Sequence, residues 1–198
     1  MTGDVKQRFS QYAHGYVTSE THSQGHDLDR LIELAQPQSD WVVLDVATGG
    51  GHTALKFAPH VAKVIASDFA PPMLAEAKAF IESKGVTNIE FAEVDAENMP
   101  YPDATFDLVT CRVAPHHFAD AFKFVQEAAR VLRAGGRVVL VEDFDALERR
   151  APDANPLALL RGWLADAGLA CDRLRPFDVS GAHLLLAAAV LEPEAAAA

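Results

Sequence analysis

An apolar run that ends in a cluster of glycines, with a helix pattern directly after it, limits the fold of this chain more than any other feature. Residues 41–46 are apolar apart from Asp45, Thr48-Gly49-Gly50-Gly51 comes next, and residues 52–58 have a helical pattern. Because glycine has no Cβ, such a turn lets backbone N–H groups approach a ligand closely. The order strand, glycine turn, helix predicts the first unit of a parallel α/β sheet.

The strand–helix unit recurs along the chain. Further strands are predicted at 63–67, 89–94, 106–111, 137–142, 170–175 and 183–190, and helices at 71–83, 118–132 and 157–167. Pro71 at the start of one helix and Gly85 after its end fit the usual chemistry of helix termini. These elements predict an α/β fold with a doubly wound, mostly parallel sheet that is covered by helices on both faces.

Length suits one domain, because 198 residues with 49% hydrophobic content can form one well-cored unit and hardly two. We expect an N-terminal helical cap at 1–36, a cofactor-binding half at 37–143, a shortened C-terminal half at 144–191 and a disordered tail at 192–198. The sequence contains no internal repeat and no Gly/Ser linker that would mark a further boundary.

Charge and cysteine usage narrow the partners and the compartment. The net charge of -11 disfavours nucleic acid and anionic membranes. Cys111 and Cys171 support neither a disulfide framework nor a metal knuckle, and no run approaches the roughly 20 apolar residues of a membrane span. We therefore expect a soluble cytoplasmic protein that acts on a small molecule, with a homodimer as one arrangement open to it.

The glycine turn leaves two cofactor classes open. Gly49-Gly50-Gly51-His52-Thr53-Ala54 satisfies the dinucleotide pattern G-x-G-x-x-A, and Asp68 follows at the spacing of a ribose-binding acid, which is compatible with a nicotinamide oxidoreductase. Asp45, however, precedes the glycines closely, and its charge would repel a diphosphate and attract the sulfonium of S-adenosylmethionine. An acid and a free N–H in Asp95-Ala96-Glu97, after the third strand, could bind adenine. Both features favour the sulfonium cofactor.

Several segments resemble, in the expected order, the motifs of class I S-adenosylmethionine-dependent methyltransferases of the ubiquinone/menaquinone-biosynthesis type, the methyltransferase domain 11-like family. The resemblance covers roughly residues 5–143. It rests on Val43-Leu44-Asp45-Val46-Ala47-Thr48-Gly49-Gly50-Gly51, Asp68-Phe69-Ala70 with Pro72-Met73-Leu74, Asp95-Ala96-Glu97-Asn98-Met99-Pro100-Tyr101, Phe106-Asp107-Leu108-Val109 and Arg130-Val131-Leu132-Arg133-Ala134-Gly135-Gly136. Phe9-Ser10-Gln11-Tyr12-Ala13-His14-Gly15-Tyr16 resembles the N-terminal lid of the family.

The resemblance implies a seven-stranded Rossmann-like methyltransferase fold with the last strand antiparallel and S-adenosyl-L-methionine as the cofactor. Asp68 would accept from both ribose hydroxyls, Phe69 and Met73 would pack on the adenosine, and Tyr16 would close over the methionine end or only pack the cap. The full set of cofactor-binding residues implied is Tyr16, Asp45, Ala47, Thr48, Gly49, Gly51, Asp68, Phe69, Met73, Asp95, Ala96, Glu97, Cys111 and Arg112.

The segment after the fourth strand carries the candidate catalytic residues. Cys111-Arg112-Val113-Ala114-Pro115-His116-His117-Phe118 lies at the edge from which methyltransferases of this type present groups to the acceptor. His116 or His117 could take a proton from the acceptor, because imidazole titrates near neutral pH, or either could pack at a helix start. Arg112 could bind a substrate anion or a structural carboxylate.

Two further features affect the function expected. His22 and His26 have the i, i+4 spacing of a metal pair, but no third ligand is suitably placed, so we expect a solvated helix face and no metal. Small-molecule methyltransferases usually have a longer insertion after the fifth strand. In this chain the corresponding segment, residues 144–155, is short, charged and bounded by proline. We therefore expect either methyl transfer to a small molecule by in-line displacement or, as the alternative, a domain that binds the cofactor with little turnover.

Overall fold

The structure, a computed structural model, describes residues 26–179 and 182–192. Six α-helices occur in this part of the chain: α1 His26–Ala35, α2 His52–Phe57, α3 Pro71–Glu82, α4 Ala121–Val131, α5 Phe144–Arg150 and α6 Pro156–Asp166. The strands are β1 Val42–Val46, β2 Lys63–Asp68, β3 Ile89–Glu93, β4 Phe106–Arg112, β5 Leu132–Asp143, β6 Leu169–Val179 and β7 Ala182–Leu191. Short 3₁₀ turns occupy Ala58–His60 and Pro115–His117.

The seven strands form one sheet in the order β3-β2-β1-β4-β5-β7-β6. Neighbours from β3 to β5 are parallel, and β7 runs antiparallel to both β5 and β6. The predicted doubly wound, mostly parallel sheet with an antiparallel last strand is therefore confirmed. From β1 the chain winds outward through β2 and β3 and then returns to β4 on the other side, so the topological switch point lies between β1 and β4.

Both faces of the central strands are buried, as near-continuous apolar sequence predicts for parallel strands. Val43 and Leu108 belong to an apolar cluster on one face, and Leu44 and Val109 belong to the cluster on the other, all without solvent exposure. Helices cover each cluster. The carboxyl ends of the parallel strands are thus the edge where ligands bind in sheets of this kind.

Two elements begin several residues away from their predicted starts. The helix expected from residue 118 begins at Ala121, because the 3₁₀ turn Pro115–His117 comes first and Asp120 then caps α4, accepting a hydrogen bond from the Lys123 N–H at 2.9 Å. The fifth strand begins at Leu132, which pairs with Phe106 before the register shifts. The cap predicted at 1–36 is described only from His26 onward, and Tyr16, His22 and residues 193–198 lie outside the described residues.

The segment 144–155 contains a helix that the sequence reading did not predict. Asp143 caps α5, and its Oδ1 accepts a hydrogen bond from the Ala146 N–H at 2.7 Å. Ala146 and Leu147 are buried, whereas Glu148 and Arg149 are exposed. The helix has seven residues, and only two of them are buried. A segment this short shows no clear helical period of apolar residues, so its sequence cannot be distinguished from that of a charged loop.

Candidate active site

The glycine loop after β1 is built from residues with left-handed backbone. Ala47, Gly49 and Gly51 have φ angles of 53°, 54° and 82°. A Cβ on Gly51 would lie 2.7 Å from the Cδ1 atom of Ile81, so the loop packs directly on α3 at this point. Ala47 adopts a conformation that costs an L-residue about 1 kcal/mol and that glycine adopts freely. The loop geometry therefore requires glycine at one of these positions and tolerates alanine at another.

Asp45 lies beneath this loop, with 1% of its surface exposed. Its Oδ2 accepts a hydrogen bond from the Thr48 hydroxyl at 2.6 Å, and its Oδ1 accepts one from the Thr110 hydroxyl of β4 at 2.8 Å. Burial raises the pKa of this carboxyl from 3.8 to about 6, although these hydroxyl donors and the Ala54 N–H oppose the shift. Asp45 thus joins the glycine loop to the neighbouring strand β4.

Asp68, at the end of β2, is partly exposed and contacts the same loop. Its Oδ2 accepts a hydrogen bond from the Gly49 N–H at 3.0 Å, and its Oδ1 accepts one from the Ala70 N–H at 3.0 Å. Burial raises the pKa of this carboxyl, whereas backbone donors, including the Phe69 N–H, lower it. A carboxylate has about four lone-pair sites. Asp68 therefore retains acceptor capacity for a hydroxyl in the cleft.

The turn after β3 is fixed by its own acidic residues. The Oδ1 of Asp95 accepts a hydrogen bond from the Glu97 N–H at 3.0 Å, and the Oε1 of Glu97 accepts one from the Ala119 N–H at 2.9 Å. Ala96, between them, is buried. Glu97 therefore ties the third-strand turn to the segment after β4, a structural contact that the sequence reading did not foresee.

Apolar contacts lie on the α3 side of the loop. The Cε of Met73, a buried residue, is 3.6 Å from the place that a Cβ on Gly49 would take. Phe69, at the start of the same segment, is partly buried. The structure thus places Met73 against the glycine loop, where an adenosine-packing residue was expected.

Arg112 and Cys111, at the end of β4, both face protein. The Nε of Arg112 donates a hydrogen bond to the Oδ2 of Asp27 on α1, a carboxylate with 1% exposure. Of the two roles open to Arg112, the structure shows the structural carboxylate. The Cys111 side chain is in the hydrophobic core, where burial and the nearby acids Glu142 and Asp45 raise the pKa of the thiol.

His116 is held by a carboxylate at the end of β5. The ring Nδ1 of His116 lies 2.6 Å from the Oε1 of Glu142, and the backbone N–H of His116 donates to the Oε2 at 2.8 Å. The Asp143 N–H donates to the Oε1 at 2.6 Å. Side-chain exposure is 14% for His116 and 2% for Glu142. The ring of His117 lies 3.9 Å from that of His116, so the two candidate bases are neighbours.

Arg150, the last residue of α5, closes over the same turn. Its two terminal nitrogens donate to the carbonyl oxygens of His116 at 3.0 Å and of Ala119 at 2.6 Å. Three residues before the first of these anchors, Val113 has a φ of 52°, an unusual conformation for a β-branched residue. The segment after β4 is therefore fixed from β5 and α5 in a strained backbone conformation, as is common at functional sites.

The functional candidates that the sequence reading missed are Asp27, Thr110, Glu142 and Arg150. Glu142 could have been found, because it is an acid at the carboxyl end of a strand, like Asp45 and Asp68. Asp27 and Arg150 carry no such signal. Their contacts join residues that are far apart in the chain.

The elements follow one another along the sheet edge. Asp95 comes after β3, Asp68 ends β2, the glycine loop follows β1, and His116 follows β4. The Val94 N–H donates to the Asp68 carbonyl at 3.1 Å, which joins the first two. Adjacent strands are about 4.8 Å apart, so this edge can bind a nucleoside over β3 and β2 with its reactive end toward β4. The hydrogen-bond acceptors Asp95 and Asp68 fit an adenosine cofactor on the β3–β2 side, and the imidazole of His116 lies on the β4 side.

Neither a metal cluster nor a membrane-spanning helix is found in the described part of the chain. Within 26–179 and 182–192, His, Cys, Asp and Glu side chains form no group of three or more that could bind a metal ion. In the same residues, no helix is both long enough and apolar enough to cross a bilayer.

Comparisons with known proteins agree with this geometry. Residues 44–140 match the family described as Methyltransferase domain. The uncharacterized methyltransferase YcgJ of Bacillus subtilis is 42% identical over 136 residues, which are 69% of this chain and 54% of the relative. The demethylmenaquinone methyltransferase of Thermus thermophilus is 42% identical over 115 residues, 57% of this chain and 52% of the relative. The chain thus spans about half the length of these curated relatives.

A solved structure extends the likeness over most of the fold. The crystal structure of a putative methyltransferase from Bacillus halodurans superposes with a TM-score of 0.76 at 29% identity, and the match covers 85% of this chain and 100% of the other. Together with the family match and the relatives, this likeness supports the resemblance recognised in the sequence, and with it S-adenosyl-L-methionine as the cofactor of the fold. Residues 44–140 thus form a domain of the S-adenosylmethionine-dependent methyltransferase family, and the chain is similar to class I enzymes of the type found in ubiquinone and menaquinone biosynthesis.

Proposed function

We propose that this protein transfers the methyl group of S-adenosyl-L-methionine to a small-molecule acceptor. The observation that carries the proposal is the contact of Asp68 with the Gly49 N–H, which puts a carboxylate with remaining acceptor capacity beside the glycine loop. When bound, the cofactor supplies a methyl group activated by a sulfonium leaving group. The protein then has to bind both reactants, align them and exclude water.

The cofactor side of the proposed site lies within residues 37–143. Asp68 would bind the ribose hydroxyls, Met73 would pack against the adenosine, and Asp95 would accept from the adenine amino group. Asp45 and Thr48 keep the loop in shape from below, since their mutual hydrogen bond is buried. The remaining predicted cofactor contacts, at Ala47, Gly51, Phe69, Ala96, Glu97, Cys111 and Arg112, are part of the same proposal.

The acceptor side of the proposed site is the turn after β4. His116 would take a proton from an acceptor that carries one, with His117 beside it. The acidic chain, with a net charge of -11, makes a small molecule a better acceptor than a nucleic acid. A homodimer and a cytoplasmic location stay predictions from the sequence.

Calorimetry with S-adenosylmethionine and S-adenosylhomocysteine tests the proposal directly. We expect both to bind the wild type, and Asp68→Ala to weaken both by about 100-fold, because hydrogen bonds to a charged group contribute about 1.5–3 kcal/mol each. Asp166→Ala, at an exposed position at the end of α6, is the matched control and should bind as the wild type does.

Methyl transfer is then measured as formation of S-adenosylhomocysteine with a panel of phenols, quinols, amines and thiols. Turnover with any of these acceptors supports the proposal. Binding of both nucleosides without turnover on any acceptor would instead indicate a domain that only holds the cofactor. Tight NAD binding with no affinity for either nucleoside would contradict the whole assignment.

A further inference from the structure

We infer that Glu142 is a positioning residue that fixes the tautomer of His116, so that the site is built for an acceptor whose nucleophile must lose a proton. This inference rests on the proposed methyl transfer. It names the partner of the base and the class of acceptor: a hydroxyl or an acidic carbon, rather than a nucleophile that is already free of its proton.

The contacts of Glu142 define which proton the imidazole carries. A carboxylate only accepts hydrogen bonds, so the Nδ1 that lies 2.6 Å from its Oε1 must carry the proton. Among the described residues, Nδ1 is the nitrogen of the His116 ring with a hydrogen-bond partner. The neutral ring therefore keeps the lone pair on Nε2, the arrangement that general bases of the histidine–carboxylate type use.

Glu142 and His116 are held by more contacts than packing alone requires, which favours a role for Glu142 beyond filling space. Glu142 ends β5 and is almost fully buried, and it receives the His116 and Asp143 backbone N–H groups as well as the ring. Arg150 holds the His116 carbonyl from the other side at 3.0 Å. A purely structural acid would need only the two backbone donors. The ring contact adds control of orientation and of protonation.

The chemical step balances with these groups. The acceptor oxygen or carbon gives its proton to Nε2 and its electron pair to the methyl carbon, whose bond to sulfur breaks with the pair left on sulfur. The imidazolium so formed is stabilised by the Glu142 carboxylate and then releases its proton to water. A thiolate acceptor arrives without the proton and needs none of this.

Glu142→Ala is the decisive variant, because it removes the carboxylate oxygen that accepts from Nδ1. A neutral imidazole without such a partner carries its proton mainly on Nε2, the wrong nitrogen for a base. Proton–nitrogen correlation spectra of the histidine rings report the tautomer and need no known acceptor. The signal of His116 is identified by its loss in His116→Asn.

We expect the Nδ1–H tautomer in the wild type and in Glu148→Ala, a matched change at an exposed position of α5, and the Nε2–H tautomer in Glu142→Ala. An Nε2–H ring in the wild type, or a ring unchanged in Glu142→Ala, would overturn the inference. Calorimetry with S-adenosylhomocysteine separates this outcome from failure of the proposed function. Nucleoside binding should be equal in wild type and Glu142→Ala, whereas failure of the proposed function would appear in the wild type as no binding or as binding without turnover on any acceptor.

Kinetics with matched acceptors give the second readout. General-base catalysis contributes about 10²–10⁴-fold, so Glu142→Ala should lower kcat for a phenol at least about 100-fold with KM little changed. For thiophenolate, which is already ionised, the variant should stay within about threefold of the wild type. An equal loss for both acceptors would show that Glu142 acts on the fold alone and would contradict the inference.

Discussion

Each side of the cleft has an acidic residue at the carboxyl end of a strand, but these acids have different roles on the two sides. On the β1–β2 side, Asp68 accepts from two backbone N–H groups, and Asp45 accepts from two hydroxyls. On the β4–β5 side, Glu142 accepts from backbone N–H groups and from an ionisable ring. The first arrangement fixes the shape of a loop, whereas the second also fixes the position of a proton. A rigid nucleoside site therefore stands next to a site where protonation matters.

Strain is distributed in the same uneven way. The β1–β2 side has left-handed backbone at residues that are mostly glycine, whereas the β4–β5 side has it at Val113. Glycine adopts this conformation freely, but a β-branched residue does so only where its surroundings force it. The glycine loop should consequently fail by steric overlap when it is altered, and the turn after β4 by loss of its anchors.

The largest effect that we expect on the loop side comes from Gly51→Ala. A Cβ there would lie 2.7 Å from the Cδ1 of Ile81 at a φ of 82°, so both overlap and backbone strain oppose it. We expect a loss of about 3 kcal/mol in the free energy of unfolding, measured by urea denaturation. Gly85→Ala, with a φ of 72° and nothing within 4 Å of its added Cβ, should lose only about 1 kcal/mol. Equal losses would show that packing on α3 is not what requires glycine.

Asp45 gives the loop side a pH dependence of stability. Its pKa is about 6 in the folded chain against 3.8 ordinarily, because the carboxyl is buried. The native state thus binds this proton more tightly, and the stabilisation present below about pH 4 is lost as the pH rises through about 6. Between about pH 4.5 and 7.5 this single group should cost about 2 kcal/mol.

Denaturation of wild type and Asp45→Asn at both pH values measures this cost. The variant cannot ionise at this position, so the stability difference between the two proteins should shift by about 2 kcal/mol against the wild type as the pH rises. Asp166→Asn, at an exposed position, should show no such shift. A constant difference for Asp45→Asn would mean that the hydroxyls of Thr48 and Thr110 keep the carboxylate ionised in the native state.

The sequence predicted the loop side well and the β4–β5 side only in part. Strand β1, the glycine turn and Asp68 are each recognisable from a short stretch of sequence, so the local pattern and spacing predict their positions. His116 was found because it follows a strand end. Its partner Glu142 is 26 positions away, and the Arg112–Asp27 pair spans 85, so only the folded sheet brings them together. Helix α5 was missed because two buried residues in one short segment make no detectable period.

The smallest effect that we expect separates strain from function in the glycine loop. Ala47 has a φ of 53°, a conformation that glycine adopts at no cost, so Ala47→Gly should raise the free energy of unfolding by about 0.5–1 kcal/mol. The affinity for S-adenosylhomocysteine should stay the same, because the backbone already has the shape that the glycine would take. Ala104→Gly, at a φ of 54° in an exposed turn far from the cleft, should give a similar gain. Were Ala47→Gly alone to weaken binding, the alanine methyl would itself be a contact of the cofactor, and the loop side would then be specified by side chains, as the β4–β5 side is.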